Sequence, residues 1–376
     1  MSLLALVMIV RDEADVLPAF FRHHAGLWDE AVVVDTGSAD GSPDVARAAG
    51  ARVVTAPWED DFAAARNRGL EEARAPMVLL LDADERVAAA DFAVVRAAAA
   101  AEPPGAWLQE TINYCDERAH LEWRPVRGRY PAEEAGRTGY FSARRVGLFP
   151  RRPDVRFTGR VHESVLPDCE RAGLPVRPLA APVHHYGYVR SAAVDERRRR
   201  TYEQLAERKA ADAPDDPAAL LELATVRLES GQAAAALPML VRLAGGDGRL
   251  RAVARGRYLL ARLRREGGDA EAAGELLAAT VRDDPGFVFA HVERVRLLMA
   301  AERWREAFAA LAAAREACGA DEPLLDREEL LGLVRTGRLD EARSLAVRLA
   351  ADCPGWPEIA ALRDRLERAR GNAGPA

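Results

Sequence analysis

The sequence predicts an α/β domain on a parallel, doubly wound sheet, followed by an all-α domain of helical repeats. Two observations carry this. Over residues 1–85, short apolar runs alternate with amphipathic stretches, the pattern of β–α–β units. From residue 216 onward the strand pattern stops, and a helical motif recurs at intervals of 37, 34 and 35 residues, the period of stacked helix pairs.

The expected strands are LLALVMIV (3–10), EAVVVDT (30–36), ARVVTA (51–56) and PMVLLLD (76–82), with helices near 13–26, 42–49 and 62–74. The second helix announces its start in Asp40-Gly41-Ser42-Pro43, a capping residue before a proline in the first turn. Residues 86–190 are richer in Pro, Arg and aromatics. A linking helix is expected near 191–212, where DERRRR (195–200) reads as a solvated face. The repeat motifs are GQAAAAL (231–237), GDAEAAG (268–274), ERWREAF (302–308) and GRLDEAR (337–343). They imply about four degenerate tetratricopeptide-type hairpins. The expected domains are therefore 1–190, a linker over 191–215, and repeats over 216–370.

Composition narrows the function. Apolar residues make up 49% and charged residues 30% of the 376, which describes a soluble globular chain. A net charge of −6 argues against nucleic acid as the main partner. The N-terminal apolar run is eight residues long with no positive charge before it, so it reads as a strand and not as a signal peptide. No stretch approaches the roughly 20 apolar residues of a membrane span, and a cytoplasmic protein is expected. Cys115, Cys169, Cys318 and Cys353 are scattered without ligand-like spacing.

The polar residues gather at strand ends. VLLLDADERV (78–87) finishes a buried run with Asp82 and Asp84, which share a face of an extended chain and repel each other unless a positive charge stands near. Arg11-Asp12-Glu13 follow the first strand and Asp35-Thr36-Gly37-Ser38 the second. In open parallel sheets, ligands bind outside these carboxyl ends. No Gly-x-Gly-x-x-Gly or Gly-x-x-x-x-Gly-Lys loop is present, and DTGS (35–38) lies outside the all-β context of an aspartic protease. With no lysine or glycine loop for phosphates, a divalent cation with oxygen ligands, Mg2+ or Mn2+, and a diphosphate substrate are expected.

Four ordered motifs then resemble family-2 glycosyltransferases of the GT-A fold, LVMIVRDEADVL (6–17), VVVDTGSADGS (32–42), WEDDFAAARNRGLEEA (58–73) and VLLLDADE (78–85), and RVGLFPRRPDVRFTGRVHESV (145–165) is similar to the later part of a bacterial subgroup of that family. VHHYGYVR (183–190) is similar to the later part of the same subgroup, which often carries C-terminal tetratricopeptide repeats. The resemblance implies a nucleotide-sugar donor of the UDP class and a transfer with inversion. Asp35 would read the uracil ring, with Glu13 and Thr36 in the same pocket. Asp84 would be the firmer metal ligand, with Asp82 nearer the ribose. Arg66 and Asn67 would lie beneath the donor, although Asn67 reads equally as a helix-packing residue. His185 would approach the metal or diphosphate, or else tie the last strand to the core; His184 is the weaker candidate.

For the base, the resemblance points to Glu163, with Asp154 in reserve and His162 as an acceptor-orienting alternative. Capping a helix or pairing with Arg160 is the structural alternative for Glu163. Residues 107–140 are expected to cover the sugar, most of their aromatics (Trp107, Tyr114, Trp123, Tyr130) packing and not stacking on it. The acceptor, whether saccharide, peptide or protein, lipid-linked or small molecule, stays open. The repeats suit a protein partner or a homodimer. The alternative to an enzyme is a repeat scaffold bearing an inactive transferase domain.

Overall fold

A computed structural model of the protein describes residues 2–116, 122–160, 163–189 and 203–372. They fall into two compact units. The first holds the described residues up to 116 and from 140 to 189, the second those of 122–139 and 203–372. His162, the arginine run 195–200 and the first part of the expected linking helix lie outside the described residues.

The chain runs through β1 (Leu4–Val10), α1 (Leu17–His23), β2 (Glu30–Asp35), α2 (Ser42–Ala48), β3 (Arg52–Thr55), α3 (Phe62–Glu72), β4 (Met77–Leu80), β5 (Glu85–Val87), α4 (Phe92–Ala99), β6 (Ala106–Tyr114), β7 (Arg124–Pro125), β8 (Gly139–Pro150), α5 (Leu166–Arg171), β9 (Val176–Pro178) and β10 (Val183–His185). The sheet order in the first unit is β3-β2-β1-β4-β8-β6-β10-β5, with β9 also on β6. The first four are mutually parallel, as the sequence predicts. Beyond them β8 turns antiparallel to β4 and β6 antiparallel to β8.

Parallel strands covered on both faces read as continuous apolar runs, and β1 shows why. Leu4, Leu6 and Met8 share a core with Leu17 and Phe20 of α1 and Val95 of α4. Ala5 and Val7 share the other with Leu70 of α3 and Cys169 of α5. Register then levels the strand ends: Val10 pairs with Asp35, and Asp35 with Thr55.

Helix α3 sits close on the sheet because residue 69 has no side chain. A Cβ there would lie 2.5 Å from Val7 Cγ1 and 3.2 Å from Val34 Cγ2. Gly69→Ala is therefore expected to destabilise the first unit by about 1–3 kcal/mol through overpacking. Chemical denaturation checks this, and an unchanged midpoint would mean that α3 does not rest on β1 this way.

The second unit carries helix α6 over residues 203–212, then α7 (Pro217–Glu229), α8 (Ala233–Ala244), α9 (Arg251–Glu266), α10 (Ala270–Asp283), α11 (Val288–Ala300), α12 (Trp304–Cys318), α13 (Pro323–Arg335), α14 (Leu339–Asp352) and α15 (Pro357–Asn372). Each repeat motif falls on the turn inside a helix pair. Gly231, Gly268 and Gly337 adopt positive φ there, and Glu302 takes the same conformation at φ 55°. The left-handed turn is why glycine recurs in the motif. Asp216 and Asp269 cap α7 and α10 by accepting from Ala218 and Ala272 N–H. Among the described residues, no helix is long and apolar enough to cross a membrane.

Candidate active site

The loops following β1 and β2 are laced together. Asp12 N–H donates to Ser38 Oγ at 2.9 Å, and Ala39 N–H donates to Asp12 Oδ1 at 2.8 Å. Glu13 N–H donates to Ser42 Oγ, whose hydroxyl donates to Asp40. Asp35, only 4% exposed, accepts from the N–H groups of Gly37 and Ser38 at 3.3 and 3.2 Å, a turn held by its own aspartate. Thr36 donates its hydroxyl to Val10 O at 3.1 Å.

Across the rim stands a second set. Arg66 projects from α3 with its side chain 7% exposed. Its Nε donates to Glu163 Oε1 at 2.5 Å, and its Nη2 donates to both Asp82 oxygens at 3.1 and 3.2 Å. One guanidinium thus joins the candidate base to the first aspartate of the pair, and Glu163 takes Arg66 as its partner. Burial opposes the charge on Arg66, but the carboxylates of Asp82 and Glu163 outweigh it and raise its pKa. Asn67, the next residue, donates to Phe157 O at 3.0 Å and accepts from Phe157 N–H at 2.8 Å. Both its amide atoms serve packing, tying α3 to the segment that leads to Glu163. Asp154 is exposed and paired with Arg152.

Sequence reasoning missed Glu85, Arg145 and Asn113. Glu85, almost wholly buried, accepts from Asp82 N–H at 2.9 Å and is ion-paired with Arg145 of β8. Burial pushes its carboxyl pKa up, against the pull of Arg145. Arg145 also stands 3.9 Å from Asp82. Asn113 of β6 places its Oδ1 2.7 Å from His185 Nδ1, and the other ring nitrogen, Nε2, lies 3.4 Å from Asp84 Oδ2. Burial disfavours a charged His185, but the Asp84 hydrogen bond and the nearby carboxylates raise its pKa overall. His184, one residue earlier, points the other way to Tyr114 OH at 2.8 Å, fully buried. Glu85 could have been found as the last letter of DADE. Arg145 and Asn113 needed the strand pairing.

The residues fit a metal ion only in part. Asp82 is taken by Arg66, so the repulsion that the sequence assigned to a metal is relieved there by arginine. Asp84 and His185 stand side by side, one oxygen and one nitrogen donor. Mg2+ and Mn2+ accept so few protein ligands when phosphates and water complete the shell. Among the described residues, no group of three or more His, Cys, Asp or Glu is gathered for a metal.

A half-parallel sheet with acidic loops at its carboxyl rim and an antiparallel extension makes the first unit a domain of the GT-A kind, and tetratricopeptide-like helix pairs make up the second. Residues 5–154 match the family described as glycosyl transferase family 2, and the first unit carries a domain of that family. A TPR repeat-containing protein of Synechococcus elongatus is 32% identical over 242 residues, covering 63% of this chain. The chain spans only 55% of that relative's length. Among solved structures, S. aureus TarS 1-349 in complex with UDP-GlcNAc is 12% identical with a TM-score of 0.38, covering 89% of this chain and 92% of that one. TTC0263, a TPR protein of Thermus thermophilus, is 22% identical with a TM-score of 0.36, covering 46% and 93%.

Proposed function

We propose that the first unit transfers a sugar from a UDP-sugar to a nucleophilic acceptor, with inversion. The observation that carries this is the Arg66 bridge between Glu163 and Asp82, on the rim where the family resemblance seats the donor. Asp35, Thr36 and Glu13 hold the uracil end, and Asp82 faces the ribose. Arg66 and Arg145 bring two guanidinium charges beside Asp82, where the diphosphate would approach. Asp84 and His185 would hold Mg2+ or Mn2+, which when bound supplies positive charge to the departing diphosphate. Glu163 accepts the acceptor's proton, and the nucleophile attacks the anomeric carbon on the face opposite the leaving group. Arg66 keeps Glu163 oriented for that transfer and Asp82 for the donor.

A panel of nucleotide-sugars scored for UDP release tests the reading. Wild-type protein is expected to release UDP in the presence of Mn2+, and Asp84→Asn to lower the rate by roughly 10²–10³-fold, the scale of losing one electrostatic contact to the transition state. UDP with Mn2+ is expected to raise the melting temperature of wild type and not of Asp84→Asn. Turnover at the wild-type rate by Asp84→Asn overturns the metal role. The occupation of Asp82 by arginine keeps one alternative in view, a repeat scaffold with an inactive domain. Absence of any stabilisation by UDP and Mn2+ favours it.

A further inference from the structure

The chain leaves β6 after Tyr114 and returns at β8, and the intervening residues 122–139 make their home in the helical unit. Trp123 is 7% exposed and belongs to the same core cluster as Val288, Leu324 and Trp356, its ring 6.0 Å from that of Trp356. The surroundings leave no slack: a Cβ on Gly139 would lie 2.1 Å from the Trp123 ring, and one on Gly355 2.0 Å from Thr138 O.

Charged anchors flank the tryptophan. Arg124 Nη1 donates to both Glu322 oxygens at 3.0 and 2.8 Å, with its guanidinium 5.1 Å over the Phe289 ring. Arg127 Nη2 donates to both Asp321 oxygens at 2.8 and 3.0 Å. Glu122 accepts from Arg255 at 2.8 Å. The partners lie at or near the N-terminal ends of α9, α11, α13 and α15. The segment therefore crosses the leading helices of three successive pairs and the closing helix.

Glu322 is the telling residue. It caps α13 by accepting from Leu324 N–H and is 8% exposed. A carboxylate so buried is costly without a cation, so the array is built around an incoming arginine. A central tryptophan flanked by arginines is the composition of an interface anchor.

We propose that the N-terminal ends of α9, α11, α13 and α15 form a binding site for an extended Trp-Arg-Pro-x-Arg segment, and that its occupant is the chain's own excursion. The strands entering and leaving that excursion carry Asn113 and Arg145. This inference stands whether or not the sheet unit transfers a sugar.

A labelled peptide of residues 122–130, EWRPVRGRY, tests it against the full-length chain by fluorescence anisotropy. The Trp123→Ala/Arg124→Ala/Arg127→Ala variant, its own anchors removed, is expected to bind the peptide saturably at one per chain, at least tenfold more tightly than wild type. Adding Asp321→Asn and Glu322→Gln is expected to abolish that binding. Equal binding to wild type and variant, no binding to the variant, or indifference to the carboxylates overturns the proposal. Should the variant fail to fold, Asp321→Asn/Glu322→Gln in the otherwise native chain is expected to speed hydrogen exchange at 122–128 at least tenfold, with β1 and β4 unchanged. Unchanged exchange at 122–128 overturns it equally.

Discussion

Arg66→Ala is expected to abolish transfer and to cost the fold about 3–5 kcal/mol, the scale for stripping the partner from a buried charge. The substitution leaves Glu163 and Asp82 facing each other across a site where both side chains are at most 31% exposed, and each loses its hydrogen-bond donor. Arg66→Lys keeps the charge but not the fork that reaches two carboxylates at once. It should recover part of the stability while leaving kcat low, because Glu163 and Asp82 would no longer be held together. Urea denaturation and initial-rate kinetics on the two variants measure this. An Arg66→Ala protein that turns over normally would remove the guanidinium from the mechanism.

Acidification gives the second large effect. His24 is fully buried on α1, its Nδ1 bonded to Phe20 O at 2.9 Å and its Nε2 accepting from Val87 N–H at 3.1 Å. Those partners demand the neutral ring. Burial lowers its pKa to about 3, and burial lowers that of His184 to about 4. In the unfolded chain both titrate near 6.5, so the unfolded state takes up protons first as the pH falls. The stability that these two neutral rings contribute is therefore complete above pH 6.5. Below it, each histidine withdraws about 1.4 kcal/mol per pH unit until its folded pKa is reached. His185 has the opposite sign: its raised pKa adds stability that is fully present below pH 6.5 and fades as the pH rises above it. The two buried rings therefore take away several kcal/mol between pH 6.5 and 4, a window in which the contribution of His185 is constant. Denaturation midpoints at pH 7, 6 and 5 test it, and a flat profile would refute the neutral state of His24. A His24→Gln variant should flatten the slope by about half.

The parts of the structure legible in the sequence are those with a short-range cause. Runs such as LLALVMIV announce strands because parallel strands are covered on both faces. The 34–37-residue period announces helix pairs because the same left-handed turn needs the same glycine. The aspartates also announced themselves at strand ends. What supplies their positive partner did not, because Arg66 reaches Asp82 across the fold from a helix and Arg145 from an antiparallel strand 60 residues beyond Glu85. Period-two alternation gave neighbouring His184 and His185 opposite faces. It did not say that one face held Tyr114 and the other Asp84. Trp123 read as one more aromatic of the sugar-covering stretch, and only long-range packing puts it in the core of the helical unit.

The main path of the sheet ends on β3, four residues long, and on β5, three residues long, and the branch strand β9 is also three residues long. On β3, Arg52 is pinned by Glu30 and by Glu72 O. Margins this short and charged offer little open backbone to a neighbouring molecule. A concentrated solution of this protein should thus resist strand-to-strand fibre growth through these edges.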